Sequence, residues 1–214
     1  MRKWLPALFL AASVAFSIWA YPQLPERVVT HWGPNGEPDG WSGRAFAAWF
    51  IPLLGLGTWL LLRWVPSIDP RRANYEKFRP TYDLLVALIV GFVAAIHVVV
   101  LGVALGWPLS IERVVPVGIG LLFVVLGNLL PRARSNWFFG IRTPWTLSSE
   151  RVWERTHRVG GYLFVAGGLA LVVTALVLPK MGPTVLVAVV GVVSIGIAAY
   201  SYLLWRRERG GGTI

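Results

Sequence analysis

Cysteine is absent from the 214-residue chain. Its absence removes disulfides, thiolate metal sites and cysteine nucleophiles together. Charge is scarce as well: only 14% of residues are Asp, Glu, Lys or Arg, against about a quarter in an ordinary soluble domain. Acids are scarcest, 10 against 20 Lys and Arg, for a net charge of +10. The sequence has no HExxH, no Gly-x-Ser-x-Gly, no Walker loop and no pair of aspartates inside an apolar run, so the common hydrolytic and nucleotide chemistries lack their residues. Hydrophobic residues make up 56% of the chain in long unbroken runs, the pattern of an integral membrane protein. The cations sit in short loops beside those runs, where they set topology and meet anionic headgroups. That placement argues for membrane lipid as a partner and against direct binding of nucleic acid.

Six runs approach the ~20 apolar residues needed to cross a bilayer: Trp4–Tyr21, then about Ala45–Trp64, Leu84–Trp107, Ile111–Leu130, Val159–Leu178 and Thr184–Trp205. The expected fold is an all-α, polytopic membrane helical bundle of about six transmembrane helices with a small extracytoplasmic loop cap. Arg2 and Lys3 ahead of the first run have the outline of a signal peptide, but Ser17-Ile18-Trp19-Ala20 offers no small-x-small cleavage site. The run is therefore read as an uncleaved first span. Three regions follow: an N-terminal two-span unit (1–66) with an outer loop at 22–44, a basic connector and third span (67–110), and a C-terminal region (111–214) with a polar loop at 131–158.

Basic residues set the expected orientation. With the N-terminus inside, the inner loops and termini receive Arg2, Lys3, Arg63, Arg71, Arg72, Lys77, Arg79, Arg206, Arg207, Arg209 and every arginine of the 131–158 loop, while the outer side receives Arg27, Arg44, Arg113 and Lys180. This asymmetry places both termini in the cytoplasm.

Two polar segments stand out. In the outer loop, Val28–Trp32 is strand-like, and Gly33–Gly36 and Pro38–Gly40 read as turns. The expectation is one hairpin resting on the membrane through Trp32 and Trp41. His31 with Glu26, Glu37 and Asp39 matches no metal-ligand spacing, and no metal or cofactor is expected. The inner segment, GNLLPRARSNWFFGIRTPWTLSSERVWERTHRVGG from Gly127 to Gly161, carries Arg132, Arg134, Arg142, Arg151, Arg155 and Arg158 with Trp137, Trp145, Trp153 and His157. Pro131 ends the fourth helix, Asn136 and Gly140 allow a turned backbone, and Thr143 before Pro144 is extended. Thr146 or Ser148 is expected to cap a new helix with Glu150 in its first turn. On that helix Val152, Trp153, Thr156 and Val159 share one face, the arginines lie on another, and Glu154 pairs with Arg158 one turn on. Arg142 and Trp145 are expected to pack together against the inner ends of the fourth and fifth spans. Asn128 is expected to hydrogen-bond across helices, His97 to be a neutral histidine bonded to a neighbouring helix, and His157 to be structural.

Two readings of the inner segment stand: membrane-surface electrostatics, or docking of a specific partner. The fixed turn chemistry of Gly140-Ile-Arg-Thr-Pro-Trp-Thr-Leu-Ser-Ser-Glu150 exceeds what charge alone requires. The alternative function class is a small-solute or lipid transporter or a membrane-embedded enzyme, with Arg142 on a lipid phosphate and His157 as base. The spans hold almost no charged groups to couple transport.

The Gly127–Gly161 run resembles the central motif of the SdpI family of bacterial membrane immunity and signalling proteins. Leu24-Pro25, His31-Trp32 and Gly36-Glu37-Pro38-Asp39-Gly40-Trp41 resemble an N-terminal domain of unknown function common in that family. The resemblance implies a non-enzymatic protein of the bacterial cell membrane that gives resistance to a secreted toxic peptide and/or binds a cytoplasmic transcriptional repressor. It places the repressor-facing surface at Asn128, Arg134, Asn136, Gly140, Arg142, Thr143, Pro144, Trp145, Glu150, Trp153 and His157. The toxin-facing surface would lie at His31, Trp32, Glu37, Asp39 and Trp41.

Overall fold

The computed structural model describes residues 2–33 and 36–210. Two sequence expectations, the tip of the Gly33–Gly36 turn at Pro34-Asn35 and the glycine-rich tail at 211–214, lie outside the described residues. The described chain is helical apart from one two-stranded sheet. The helices are α1 (Leu5–Ala20), α2 (Arg44–Ile68), α3 (Ala73–Lys77), α4 (Arg79–Ala104), α5 (Ile111–Leu129), α6 (Pro144–Ser148), α7 (Glu150–Val177) and α8 (Gly182–Gly210). Six of these, α1, α2, α4, α5, α7 and α8, lie in segments long and apolar enough to cross a membrane. Their outer faces expose Leu53, Leu60, Leu61, Val187, Val192 and Ile195, the surface a bilayer would cover. The protein is thus a multi-pass helical membrane protein.

Local chemistry sets the ends of the spans. α2 stops because Asp69 precedes Pro70 and is held extended (φ −72°, ψ 126°), away from the helical region that a following proline disfavours. α4 ends at Gly106, whose φ of +80° suits glycine. There the amides of Gly106 and Trp107 return to the carbonyls of Val103 (3.0 Å) and Gly102 (2.9 Å), the paired closure of a Schellman motif. α5 gives way at Pro131 to a single 3₁₀ turn, Leu130–Arg132.

Packing divides the spans into two groups. α1, α2 and α4 pack on one another, and α5, α7 and α8 form the second group. Within the second, α5 and α7 approach to backbone contact at two glycine pairs. A Cβ on Gly127 would lie 2.6 Å from the Gly161 carbonyl oxygen, and one on Gly168 would lie 2.5 Å from that of Gly120. The pairs are seven residues apart on both helices, about two turns, so both contacts fall on one seam. Small residues at such a seam let helices associate by close packing where hydrophobic burial supplies no driving force.

At the end of the bundle opposite the α5–α7 connection, β1 (Arg27–Trp32) and β2 (Pro38–Gly43) form an antiparallel hairpin. The Pro38–Gly40 cluster, expected as a turn, lies in β2. The turn comes earlier, closed by Gly33 N–H to the Glu37 carbonyl and Gly36 N–H to that of Gly33, both 2.9 Å. Register shifts on either side of His31 accommodate Pro38 and Gly40 in the strand, as bulges do. An isolated hairpin is marginal in water. This one is anchored through Val28, buried with Ala20, Leu24, Ala47, Ala48 and Leu101. Trp32 lines a cleft of about 200 Å³ that it shares with Val115 of α5 and Leu186 of α8.

His97 is fully buried in α4, and its Nε2 lies 2.8 Å from the Ser17 hydroxyl of α1. That hydroxyl also donates to the Ala48 carbonyl of α2 (2.7 Å). The Ser17 hydroxyl therefore ties the first three spans together, and His97 bonds a neighbouring helix as expected.

The glycine seam yields a direct test. Gly127→Ala or Gly168→Ala must push α5 and α7 apart and is expected to destabilise the purified protein by about 1–3 kcal/mol. Gly191→Ala, where a methyl meets nothing within 4 Å, should leave stability unchanged or raise it. Thermal unfolding in detergent distinguishes the two classes, and equal melting of all three variants would contradict the seam.

Candidate functional site

The segment between α5 and α7 is an ordered structure built on side chains. Its centre is Asn136, fully buried. The Asn136 Oδ1 accepts the backbone N–H groups of Phe138 (2.9 Å) and Phe139 (2.6 Å), and its Nδ2 donates to the carbonyls of Arg134 (2.9 Å) and Phe139 (3.0 Å). One amide thereby closes a tight turn that has no regular secondary structure. A side chain doing this replaces the backbone partners that buried peptide groups require.

The connector between α2 and α4 supplies the second support. Asp69 is 2% exposed and accepts three hydrogen bonds: Arg71 N–H (2.7 Å), Trp137 N–H (2.9 Å) and the Tyr75 hydroxyl (3.0 Å). Burial first, and then the bond and negative charge of Asp69, hold the Tyr75 hydroxyl far above the ordinary tyrosine range. Its proton therefore stays available for donation. Arg71 reaches the Ser135 hydroxyl and the Leu147 carbonyl (2.7 Å), and Asn74 donates to the Ser135 carbonyl (2.8 Å). The aromatic floor beneath is Tyr75, Phe78, Tyr82 and Trp153.

The start of α7 is the third support. Gly140 has φ +105°, and a side chain there would collide with the His157 ring, so both conformation and space require glycine. The Ile141 N–H donates to His157 Nε2 (2.9 Å), and His157 Nδ1 pairs with the Trp153 carbonyl (2.8 Å). Nε2 is thus the acceptor and Nδ1 the protonated nitrogen, which fixes a neutral tautomer. With both nitrogens engaged and the residue fully buried, His157 is structural and poorly placed to act as a base. Trp153 stacks on it (4.0 Å between centroids) and donates Nε1–H to the Ala133 carbonyl (2.9 Å).

Helix capping differs from expectation by a few residues. Thr143, rather than Thr146, caps α6, accepting the Thr146 N–H (3.1 Å) while Thr146 Oγ1 accepts the Thr143 N–H (2.9 Å), a reciprocal box. Ser149, rather than Ser148, caps α7 through the Val152 N–H (3.2 Å). Pro144 then occupies the first position of α6, where its missing N–H costs nothing.

Other expected contacts have different partners. Glu154 pairs with Arg134 (2.7 Å) and not with Arg158, because a cation across the turn is closer than one further along the helix. Trp145 packs on Tyr202 of α8 (5.1 Å between centroids), not on the fourth and fifth spans, and Arg142 turns outward to donate to the Trp137 carbonyl (2.7 Å). Asn128 is exposed and bonds the Val124 carbonyl of its own helix (2.8 Å), rather than crossing to another. The seven-residue glycine seam turns its side chain away from α7.

The site therefore unites Asn136, Gly140, Trp153 and His157 in its interior and joins Thr143 and Trp145 to α8. It sets Arg134 and Glu150 on the rim of a polar cleft of about 370 Å³ completed by Lys77, Asn74, Ser135 and Glu154. At the other end of the bundle, His31 Nδ1 meets Asp39 Oδ1 at 2.5 Å with both side chains exposed. Glu37 and Trp41 are also exposed. Among the described residues no three His, Asp or Glu side chains gather as a metal set.

Sequence reasoning missed the contributions of the connector and of α8. Asp69 had a signal: it is the one acid in Pro66-Ser-Ile-Asp-Pro-Arg-Arg72. On α8, the Ser201 hydroxyl meets Thr143 Oγ1 (3.1 Å), and Glu208 accepts from Ser149 (2.9 Å) and pairs with Arg151 (3.4 Å). A polar residue in an apolar run marks such a contact without naming its partner.

Comparison with known proteins now fits the geometry. A six-pass helical bundle with this built segment defines the class. Within it, residues 132–201 match the family model described as the SdpI/YfhL protein family, and residues 8–56 match that of DUF1648, a domain of unknown function. The immunity protein SdpI of Bacillus subtilis (strain 168) is 25% identical over 166 residues, which cover 78% of this chain and 77% of that protein. No solved structure matches.

Asp69→Ala removes the acceptor of the part-buried Arg71 and Trp137 N–H groups and the shorter of the two hydrogen bonds of the buried Tyr75 hydroxyl. A buried unsatisfied group costs about 1–3 kcal/mol and a solvent-reachable one less, so the substitution should destabilise the segment by roughly 1–3 kcal/mol. Asp69→Asn, which keeps an acceptor oxygen, should cost less. Protease cleavage between residues 130 and 149 reads the difference; resistance equal to wild type in Asp69→Ala would show that the connector does not hold the segment.

Proposed function

We propose that this chain is a non-enzymatic, immunity-type protein of the bacterial cell membrane, with the segment 130–158 inside and the hairpin outside. The hairpin, with His31, Trp32, Glu37, Asp39 and Trp41, is the surface offered to a secreted toxic peptide. The inner segment is the surface offered to a cytoplasmic transcriptional repressor. The observation that carries this reading is the buried Asn136–Asp69 support of an otherwise irregular segment. A loop that only touched lipid would need its charges but not a fixed backbone. Here the backbone is held rigid while Arg134, Lys77, Glu150 and Glu154 line a cleft with both signs of charge, which suits a protein partner carrying complementary pairs. The 25% identity to an immunity protein supports the same class.

The cysteine-free sequence makes orientation simple to measure. In intact cells a membrane-impermeant maleimide should label Glu37→Cys and leave Ser148→Cys unlabelled until the cells are opened. The reverse pattern would invert the assignment of the two surfaces.

Function is tested by deleting the gene and challenging cells with peptides secreted by the same or neighbouring cells. Sensitivity restored to resistance by the wild-type chain supports immunity, whereas altered solute accumulation without sensitivity selects transport. Arg142→Ala, inserted at normal level, should lose protection or signalling, since the Arg142 guanidinium is exposed and engages only the Trp137 carbonyl among the described residues. Undiminished resistance in that variant would leave lipid electrostatics as the role of this arginine.

A further inference from the structure

A second cleft opens at the same end of the bundle as the inner segment, but in the other helix group. It lies between α1, α2 and α4, holds about 180 Å³, and shares no lining residue with the cleft at Arg134. Three cations from three separate stretches of chain converge on it: Lys3 ahead of α1, Arg63 near the end of α2 and Arg79 at the start of α4. One acid, Asp83, is present and pairs with Arg79 (3.2 Å), so positive charge remains in excess. The floor is apolar and aromatic, formed by Pro6, Trp59 and Tyr82. The Tyr82 hydroxyl donates to the Leu62 carbonyl (2.5 Å), which locks α4 to α2 and fixes the floor.

We propose that this cleft binds the phosphate of an anionic phospholipid headgroup, with Lys3, Arg63 and Arg79 neutralising it and Trp59 and Tyr82 against the glycerol and first chain carbons. Like charges brought together from distant parts of a chain repel one another unless an anion joins them. α1 and α4 both begin here, and the positive ends of their dipoles add to the attraction. A cationic rim over an apolar floor, at the end of membrane spans, lies at headgroup depth and matches an amphiphile better than a free ion. Basic pockets between spans take such headgroups. This site goes beyond general contact between loop arginines and lipid, and it uses no part of the immunity reading, so either can fail alone.

The full-length protein in detergent, titrated with phosphatidylglycerol or phosphatidylcholine and read by native mass spectrometry, provides the test. The first phosphatidylglycerol should bind at least tenfold more tightly than phosphatidylcholine. A cation near a headgroup is worth about fivefold in affinity. Arg63→Gln with Arg79→Gln should therefore weaken phosphatidylglycerol by roughly 25-fold on the same basis, and leave phosphatidylcholine unchanged. Arg63→Lys with Arg79→Lys should retain most of the preference. Should the double glutamine variant not fold, Lys3→Gln alone reads the same loss at about fivefold. Arg206→Gln with Arg207→Gln removes equal charge outside the cleft and should not affect the first lipid. Equal weakening by that control would reduce the effect to net charge and overturn the site. Displacement of the lipid by excess inorganic phosphate would overturn the lipid assignment in favour of a free anion.

Discussion

A buried peptide group must find a hydrogen-bond partner, and a chain that turns back at the end of a membrane bundle has neither helix nor sheet to supply one. The segment between α5 and α7 depends on how that requirement is met. Asn136 satisfies the peptides around it from within the turn, and Asp69 satisfies Trp137 from outside it. His157 accepts the N–H of Ile141. Three side chains from three parts of the chain thus replace regular secondary structure. With its peptides anchored, the segment can direct its remaining charged groups at a cleft.

The glycine seam serves the same end at lower resolution. Gly120–Gly168 and Gly127–Gly161 bring α5 and α7 to backbone contact, which fixes the distance between the two helices that carry the segment. Gly161 lies one turn beyond His157, and Gly160 accommodates Ile141, whose amide His157 holds. The seam and the turn are therefore a continuous packing arrangement along α7: glycines set the helix spacing, and the histidine one turn on sets the loop. α8 closes the third side through Ser201, Tyr202 and Glu208.

Much of this was legible in the sequence, for physical reasons. Spans announce themselves by length and apolar composition, and helical periodicity finds Val152, Trp153 and Thr156 on the buried face of α7, although Val159, expected with them, is only half-buried and His157 joins them instead. Gly140 and Thr143-Pro144 signal turn and cap within a few residues. What stayed hidden were partners distant in sequence. Glu154 has arginines available on its own helix and across the turn, and only the fold decides for Arg134. Asn128 reads as an interhelical amide until the seam rotates it outward. The Pro38–Gly40 cluster carries turn residues yet pairs as a strand, because β1 offers irregular register beside His31. Local propensity yields to tertiary pairing there.

The residues that identify the chain are not the whole of its machinery. The matched regions are 8–56 and 132–201. Asp69, Arg71, Asn74 and Tyr75 lie between them, yet they make most of the long-range hydrogen bonds that hold residues 135–147 in place. The connector belongs to the helix group of α1 and α2, whereas the segment belongs to that of α5 and α7. α4 and α5 are joined at the far end by the short turn after Gly106; at the near end the bonds of Asp69, Arg71, Asn74 and Tyr75, with the aromatic floor of Tyr82 and Trp153, tie the two groups together.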